Sequence, residues 1–180
     1  MEIYLIRHTT PLVPVGQIYG WSEVPLHTNS AEEIEAVRLN LPAQFDKVYS
    51  SPSLRCTALA TKINADFVID PRLRELHFGD WEGKTWDAVD QRTLQFWMDD
   101  YVNVCVPGGE SMLQMQFRII SFWNELKKES PEKVAVISHA GVIRILLAIH
   151  NSTELKDCFD YKVNFGEIIV LHEGSQSRLV

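Results

Sequence analysis

Four apolar residues in succession, Val134-Ala135-Val136-Ile137, stand between Lys133 and the polar pair Ser138-His139. A run this short, with no alternating polar residue, fits a strand covered on both faces, and that requires a parallel sheet with helices on each side. Ala140 to His150 reads as the helix that follows it. The rest of the chain repeats the alternation. Glu2–Ile6 is a short β-prone run ending in Arg7-His8. Ser30-Ala31-Glu32-Glu33 has the spacing of a capping box and predicts a helix from Ser30 to about Leu41. Lys47–Tyr49 predicts a strand, Ser53 to about Ile63 a helix, and Phe67–Ile69 a third strand. Residues from about Pro71 to Gly83 read as an ordered, irregular loop, and Trp86–Trp97 as helix. From Glu110 to Glu129, Met112, Met115, Ile119, Phe122, Trp123 and Leu126 recur near helical spacing. Glu167–His172 reads as a late strand. Such a series specifies an α/β fold, a three-layer αβα sandwich around a mostly parallel central sheet.

With 180 residues the chain is sized for a single domain, and 46% apolar content is the usual share for a globular protein. That length needs no disulfide or metal staple. Cys56, Cys105 and Cys158 are far apart, odd in number and show no C-x-x-C spacing. This argues for reduced thiols and against a zinc site or disulfide framework. No cofactor is expected. Seventeen basic residues against 24 acidic ones give a net charge of −7, which excludes a general binder of nucleic acid or anionic membrane. The longest apolar stretch, Val142–Ile149, is broken by Arg144 and falls far short of the ~20 residues that span a bilayer. The N-terminal apolar run is too short for a signal peptide and begins with an acid. The expectation is a cytoplasmic protein. Any anionic partner must be held by local positive charge.

In parallel sheets, sites lie beyond the carboxyl ends of the strands. Three strand ends carry unusual polar residues: Arg7-His8, then Ser50-Ser51 with nearby Arg55, then Ser138-His139-Ala140-Gly141. Taken singly, each also reads as a solvated terminus or a helix cap. Together they point to phosphoryl chemistry. A neutral imidazole at His8 can attack phosphorus when its other nitrogen is held by a hydrogen bond. Arg7 and Arg55 offer forks of donors, and His139 sits where helix amides already favour an anion. Small Ala140 and Gly141 allow close backbone approach there. General acid/base work needs a carboxyl group as well. Glu75, Asp80 and Glu82 in the 74–83 loop all qualify, and spacing does not choose among them.

These segments resemble the histidine phosphatase superfamily, the group containing cofactor-dependent phosphoglycerate mutases. The matches are Leu5-Ile6-Arg7-His8, Tyr19-Gly20-Trp21 with Pro25-Leu26, Ser50 to Arg55, Arg74 to Gly83, Gly108-Gly109-Glu110-Ser111 and Ser138-His139-Ala140-Gly141, in the family's order. The resemblance implies the phosphoglycerate mutase-like fold. It also implies that His8 is the phosphorylated nucleophile, that Arg7, Arg55 and a protonated His139 bind the phosphoryl group, and that Glu75 is the proton donor. Gln17, Tyr19, Gly20, Trp21 and Ala140 are further pocket candidates, and residues about 84–110 would form part of a cap. Two departures stand out. Thr9-Thr10 replaces the usual Gly-Glu, and the asparagine a few residues on is missing, with Gln17 in a position to substitute. The chain has no room for the mutases' inserted segment, so the resemblance implies a metal-independent hydrolase of small phosphate monoesters. Phe78-Gly79-Asp80-Trp81-Glu82 and the compact size look like the alpha-ribazole phosphatases of cobalamin nucleotide-loop assembly. A broad sugar-phosphate or nucleotide phosphatase is the alternative within the class, and a non-catalytic phospho-ligand domain the alternative outside it.

Overall fold

The computed structural model describes residues 1–172. Five strands, β1 (Glu2–Arg7), β2 (Lys47–Ser50), β3 (Val68–Ile69), β4 (Lys133–Ser138) and β5 (Ile168–His172), form one sheet in the order β3-β2-β4-β1-β5. All pairings are parallel except β5, which runs antiparallel to β1 along the edge. The helices are α1 (Ser30–Leu39), α2 (Leu54–Ile63), α3 (Gln91–Asp99), α4 (Met112–Glu129) and α5 (Ala140–Asn151).

The unbroken apolar run of β4 has the cause the sequence suggests. This strand is central, and both of its faces are covered. Val134 and Val136, with Ile3 and Leu5 of β1, enter the core shared with α4 and α5. Ala135 and Ile137, with Ile6, face the smaller core built on Ile34, Val37, Cys56, Leu59 and Ala60 of α1 and α2. Side chains two apart share a face of a strand, so each strand feeds both layers. The result is the expected αβα sandwich. Among the described residues no helix is long and apolar enough to cross a membrane.

Several boundaries differ from the sequence reading. Asn29, not Ser30, occupies the cap position of α1, and its side chain makes no capping bond. The Glu33 carboxylate instead accepts from Thr10 N at 2.8 Å, across the loop that follows β1. A true capping box forms on α4: Ser111 Oγ accepts from Gln114 N at 3.2 Å, and the Gln114 side-chain oxygen accepts from Ser111 N at 3.0 Å. The helix read as Trp86–Trp97 begins only at Gln91, because Asp90 caps it by accepting from Thr93 N at 2.9 Å. Phe67 and Glu167 fall just outside their strands. The 71–83 segment is the irregular loop expected, with two single 3₁₀ turns at Pro71–Leu73 and Gly79–Trp81.

The two serines make a paired test. Removing a working cap costs about 1 kcal/mol, so Ser111→Ala should lower the urea unfolding free energy by about that much. Ser30→Ala should change it by less than about 0.5 kcal/mol. Equal losses would contradict the cap assignment.

Candidate active site

The parallel ladder continues past the ends of three adjacent strands. Arg7 pairs with Ser138, His8 N donates to Ser138 O at 3.0 Å, and Ser51 N donates to Ile137 O at 2.9 Å. Strand β4 therefore sets both flanks in register with its own end. The His8 and His139 rings meet edge to face, with centroids 5.2 Å apart.

His8 is 2% exposed. Its Nδ1 lies 2.7 Å from the carbonyl oxygen of Thr9. A carbonyl can only accept, so Nδ1 carries the proton and Nε2 keeps its lone pair. Burial, the Arg55 charge and the Arg7 charge push the His8 pKa down to about 3, against the opposing pull of the Thr9 carbonyl. His139 is fully buried, and burial followed by the neighbouring His8 and arginine positions holds its pKa well below the ordinary histidine value. That direction favours a neutral ring in the structure, whereas the expectation from the resemblance is a ring protonated against a phosphoryl group. Its Nε2 lies 2.8 Å from Ser51 Oγ, and its Nδ1 has no partner.

The two arginines are held from behind. Arg7 donates to Val163 O at 2.7 Å, and its guanidinium lies 3.7 Å from the centre of the Phe165 ring. Arg55, 0% exposed near the start of α2, donates to Gly20 O at 2.7 Å and Ser22 O at 3.1 Å. The Nε atoms of both are buried and unpartnered. No carboxylate lies within ion-pair distance of either among the described residues, whereas Arg72 and Arg118 are both paired.

A cavity of about 200 Å³ opens on these groups, lined by Arg7, His8, Arg55, Glu75 and His139 together with Gln17, Ile18, Tyr19, Phe78, Trp86, Ala140 and Arg144. Gln17, Tyr19 and Ala140 thus line it as anticipated. Gly20 and Trp21 do not. Gly20 lies behind Arg55 as its acceptor, where a side chain would meet Leu76 O at 1.9 Å. Trp21 packs on the His77 ring at 4.4 Å and donates to Glu75 O at 2.8 Å. Trp81 and Trp97 belong to the core, while Trp86 is 38% exposed on the cavity wall.

The tie among the three carboxylates is broken by position. Asp80 is exposed and lies outside the cavity. Glu82 is consumed by Trp21 N, Ser22 and Phe78 N. Glu75 alone faces the cavity, with its two oxygens accepting from Leu76 N at 2.9 Å and Gly141 N at 3.1 Å. A Cβ on Gly141 would stand 2.2 Å from Glu75 Oε1, so the glycine is what admits the carboxylate to the start of α5. Arg118 braces the same loop. It donates to the carbonyls of Arg72, Arg74 and Glu75 while pairing with Glu110. Neither Arg118 nor Arg144 was singled out in the sequence. The signal for Arg118 was a cation within the apolar stripe of α4, three residues after Met115 and four before Phe122. The Thr9 substitution needs no strained backbone: among the described residues only Ser130 and Ser152 combine a side chain with positive φ.

Two neutral imidazoles and two unpaired guanidinium groups, with inward donors still free, form a site for an oxyanion beside a nucleophilic nitrogen. The sequence model of the histidine phosphatase superfamily (branch 1) matches residues 3–179. The chain belongs to the histidine phosphatase superfamily. A crystal structure of the alpha-ribazole phosphatase from Shigella flexneri superimposes with a TM-score of 0.89 at 22% identity, covering 98% of this chain and 92% of that one. The adenosylcobalamin/alpha-ribazole phosphatase of Escherichia coli is 27% identical over 158 residues, 82% of this chain and 78% of its own length. Phosphoserine phosphatase 1 of Hydrogenobacter thermophilus is 23% identical over all of this chain and 90% of its own. The names of these relatives carry different substrates.

The protonation state is measurable. By NMR, neither the His8 nor the His139 ring should titrate between pH 8 and pH 5, and a midpoint near 6.5 for either would contradict the assignment. Unfolded histidine takes up its proton near 6.5, whereas folded His8 resists until about 3. The unfolded chain then binds more protons, so stability should fall as pH drops through that window. His8→Gln should flatten the slope.

Proposed function

We propose that this protein is a metal-independent phosphomonoester hydrolase working through a phosphohistidine. What supports the reading is that the unpartnered buried donors, Arg7 Nε, Arg55 Nε and His139 Nδ1, belong to groups lining the same cavity as the neutral His8. His8 Nε2 attacks phosphorus and the ester P–O bond breaks, with Glu75 giving its proton to the departing oxygen. Water then loses a proton to Glu75 and attacks phosphorus, the P–N bond breaks, and inorganic phosphate leaves behind a neutral His8. With the Ser51 hydroxyl donating to His139 Nε2, the His139 proton sits on Nδ1 and serves an equatorial phosphoryl oxygen. Arg7 and Arg55 supply the positive charge that a metal ion provides in other phosphoryl-transfer sites. Among the described residues no cluster of His, Cys, Asp and Glu is arranged to hold a metal ion.

The substrate in this reading is a small phosphate ester, in keeping with a cavity of about 200 Å³ and with relatives named for phosphoserine. Residues about 84–110 serve as part of the cap, contributing Trp86. Alpha-ribazole 5′-phosphate is the second reading, favoured by the aromatic rim of Tyr19, Phe78 and Trp86, on which a flat base could stack. Parallel kcat/KM measurements on both esters decide between them.

Rapid quenching with substrate should trap an acid-labile, base-stable phosphate on His8, and His8→Ala should lower kcat/KM by about 10³-fold or more. Retained hydrolysis in that variant would overturn the mechanism. Glu75→Gln should slow alkyl esters by about 10²-fold or more and activated aryl esters far less. A chelator should leave both rates unchanged.

A further inference from the structure

One cation of the cavity wall has no part in the mechanism above. Arg144 lies on α5 one turn after Ala140, so the two residues share a helix face, and both line the cavity. Its Nε donates to Tyr161 O at 3.0 Å, and its guanidinium lies over the Phe159 ring, 5.3 Å from the centroid. These contacts hold the side chain from behind. Both terminal amino groups make no hydrogen bond and no ion pair among the described residues, in a protein of 24 acidic side chains.

The lining holds three guanidinium groups, Arg7, Arg55 and Arg144, against one carboxyl group, Glu75. If the cavity acts as proposed above, Glu75 is protonated when the ester binds. The phosphoryl dianion then balances two positive charges, and one remains. Arg144 is also close enough to Arg7 for their charges to oppose each other. A second anionic group on the substrate relieves that opposition, and a neutral leaving group leaves it in place. A planar carboxylate matches a guanidinium whose outer edge is free.

We infer that Arg144 binds a carboxylate carried by the leaving alcohol, which makes the substrate class phosphate monoesters of small hydroxy acids, amino acids included. The inference rests on the phosphatase reading and goes past it, from the phosphoryl group to the alcohol.

A matched pair of esters isolates the carboxylate: 3-phosphoglycerate, and glycerol 3-phosphate, which has a hydroxymethyl group in its place. Wild-type enzyme should favour 3-phosphoglycerate in kcat/KM by about 10-fold or more, the range for a charge-assisted fork. Arg144→Gln should abolish the preference, leaving glycerol 3-phosphate and p-nitrophenyl phosphate within about threefold of wild type and inhibition by inorganic phosphate unchanged. Arg144→Met, which keeps the packing on Phe159, should behave alike, and whichever variant melts as wild type supplies the comparison. An equal loss on all three esters would show the guanidinium serving the phosphoryl group or the fold, and would overturn the inference. So would a wild type that turns over p-nitrophenyl phosphate but does not distinguish the matched pair. Failure of wild type on every ester would sink the phosphatase reading itself, and this inference with it.

Discussion

The pairing of β4 with β1 on one side and β2 on the other is the constraint on which the site depends. Parallel neighbours end at the same rim, and here the ladder runs one residue beyond the strands, through His8 N to Ser138 O and Ser51 N to Ile137 O. Shifting either pairing by one residue would turn every side chain to the opposite face. His8 and His139 would separate, and Ser51 would lose the His139 ring. The apolar run of β4 therefore fixes a distance between two polar groups. Ile137 and Val136, sealed into opposite cores, leave the strand no other register.

Charge is organised against the average. Arg55 is buried and Arg7 half-buried, both without a carboxylate partner among the described residues, in a chain with ample acids to supply one. Burying an unpaired cation is costly unless hydrogen bonds offset it. Each guanidinium is accordingly tied to backbone carbonyls: Val163 for Arg7, Gly20 and Ser22 for Arg55. Carbonyl oxygens satisfy the donors without neutralising the charge. Burial first, and then the same positive field, favours the neutral form of both imidazoles. A net charge of −7 thus says nothing about the sign inside the cavity.

The sequence was most readable where local chemistry and tertiary structure agree. The periodicity of α4, the double burial of β4 and the polar strand ends each appear in consecutive residues, and each forms as read. Capping was readable only in part. Ser30 and Glu33 have the right spacing, but Asn29 takes the cap position one residue earlier, and Glu33 is drawn across to Thr10. Ser111 and Gln114 use glutamine in the same role. The choice of Glu75 over Asp80 and Glu82 is tertiary as well, decided by which carboxylate meets Gly141. Arg118 and Arg144 act on carbonyls more than 15 residues away in the chain, Arg72, Arg74 and Glu75 in one case and Tyr161 in the other. No window along the sequence contains both ends of such a contact.

Two layers of the site then have different origins. His8 and His139 follow directly from the ends of β1 and β4 and cannot move without breaking the register. Glu75, Trp86 and Arg144, which line the same cavity, come from the loop after Leu73, the segment before α3 and the second turn of α5. Those elements are held by contacts away from the strand ends: Arg118 on the Glu75 loop, Tyr161 O and the Phe159 ring on Arg144, and the Phe78, Trp81 and Trp97 rings on Trp86. A substitution there changes the cavity wall without touching His8 or His139. This is why one fold, shared at 22% identity, can carry different cavity walls on the same strand ends.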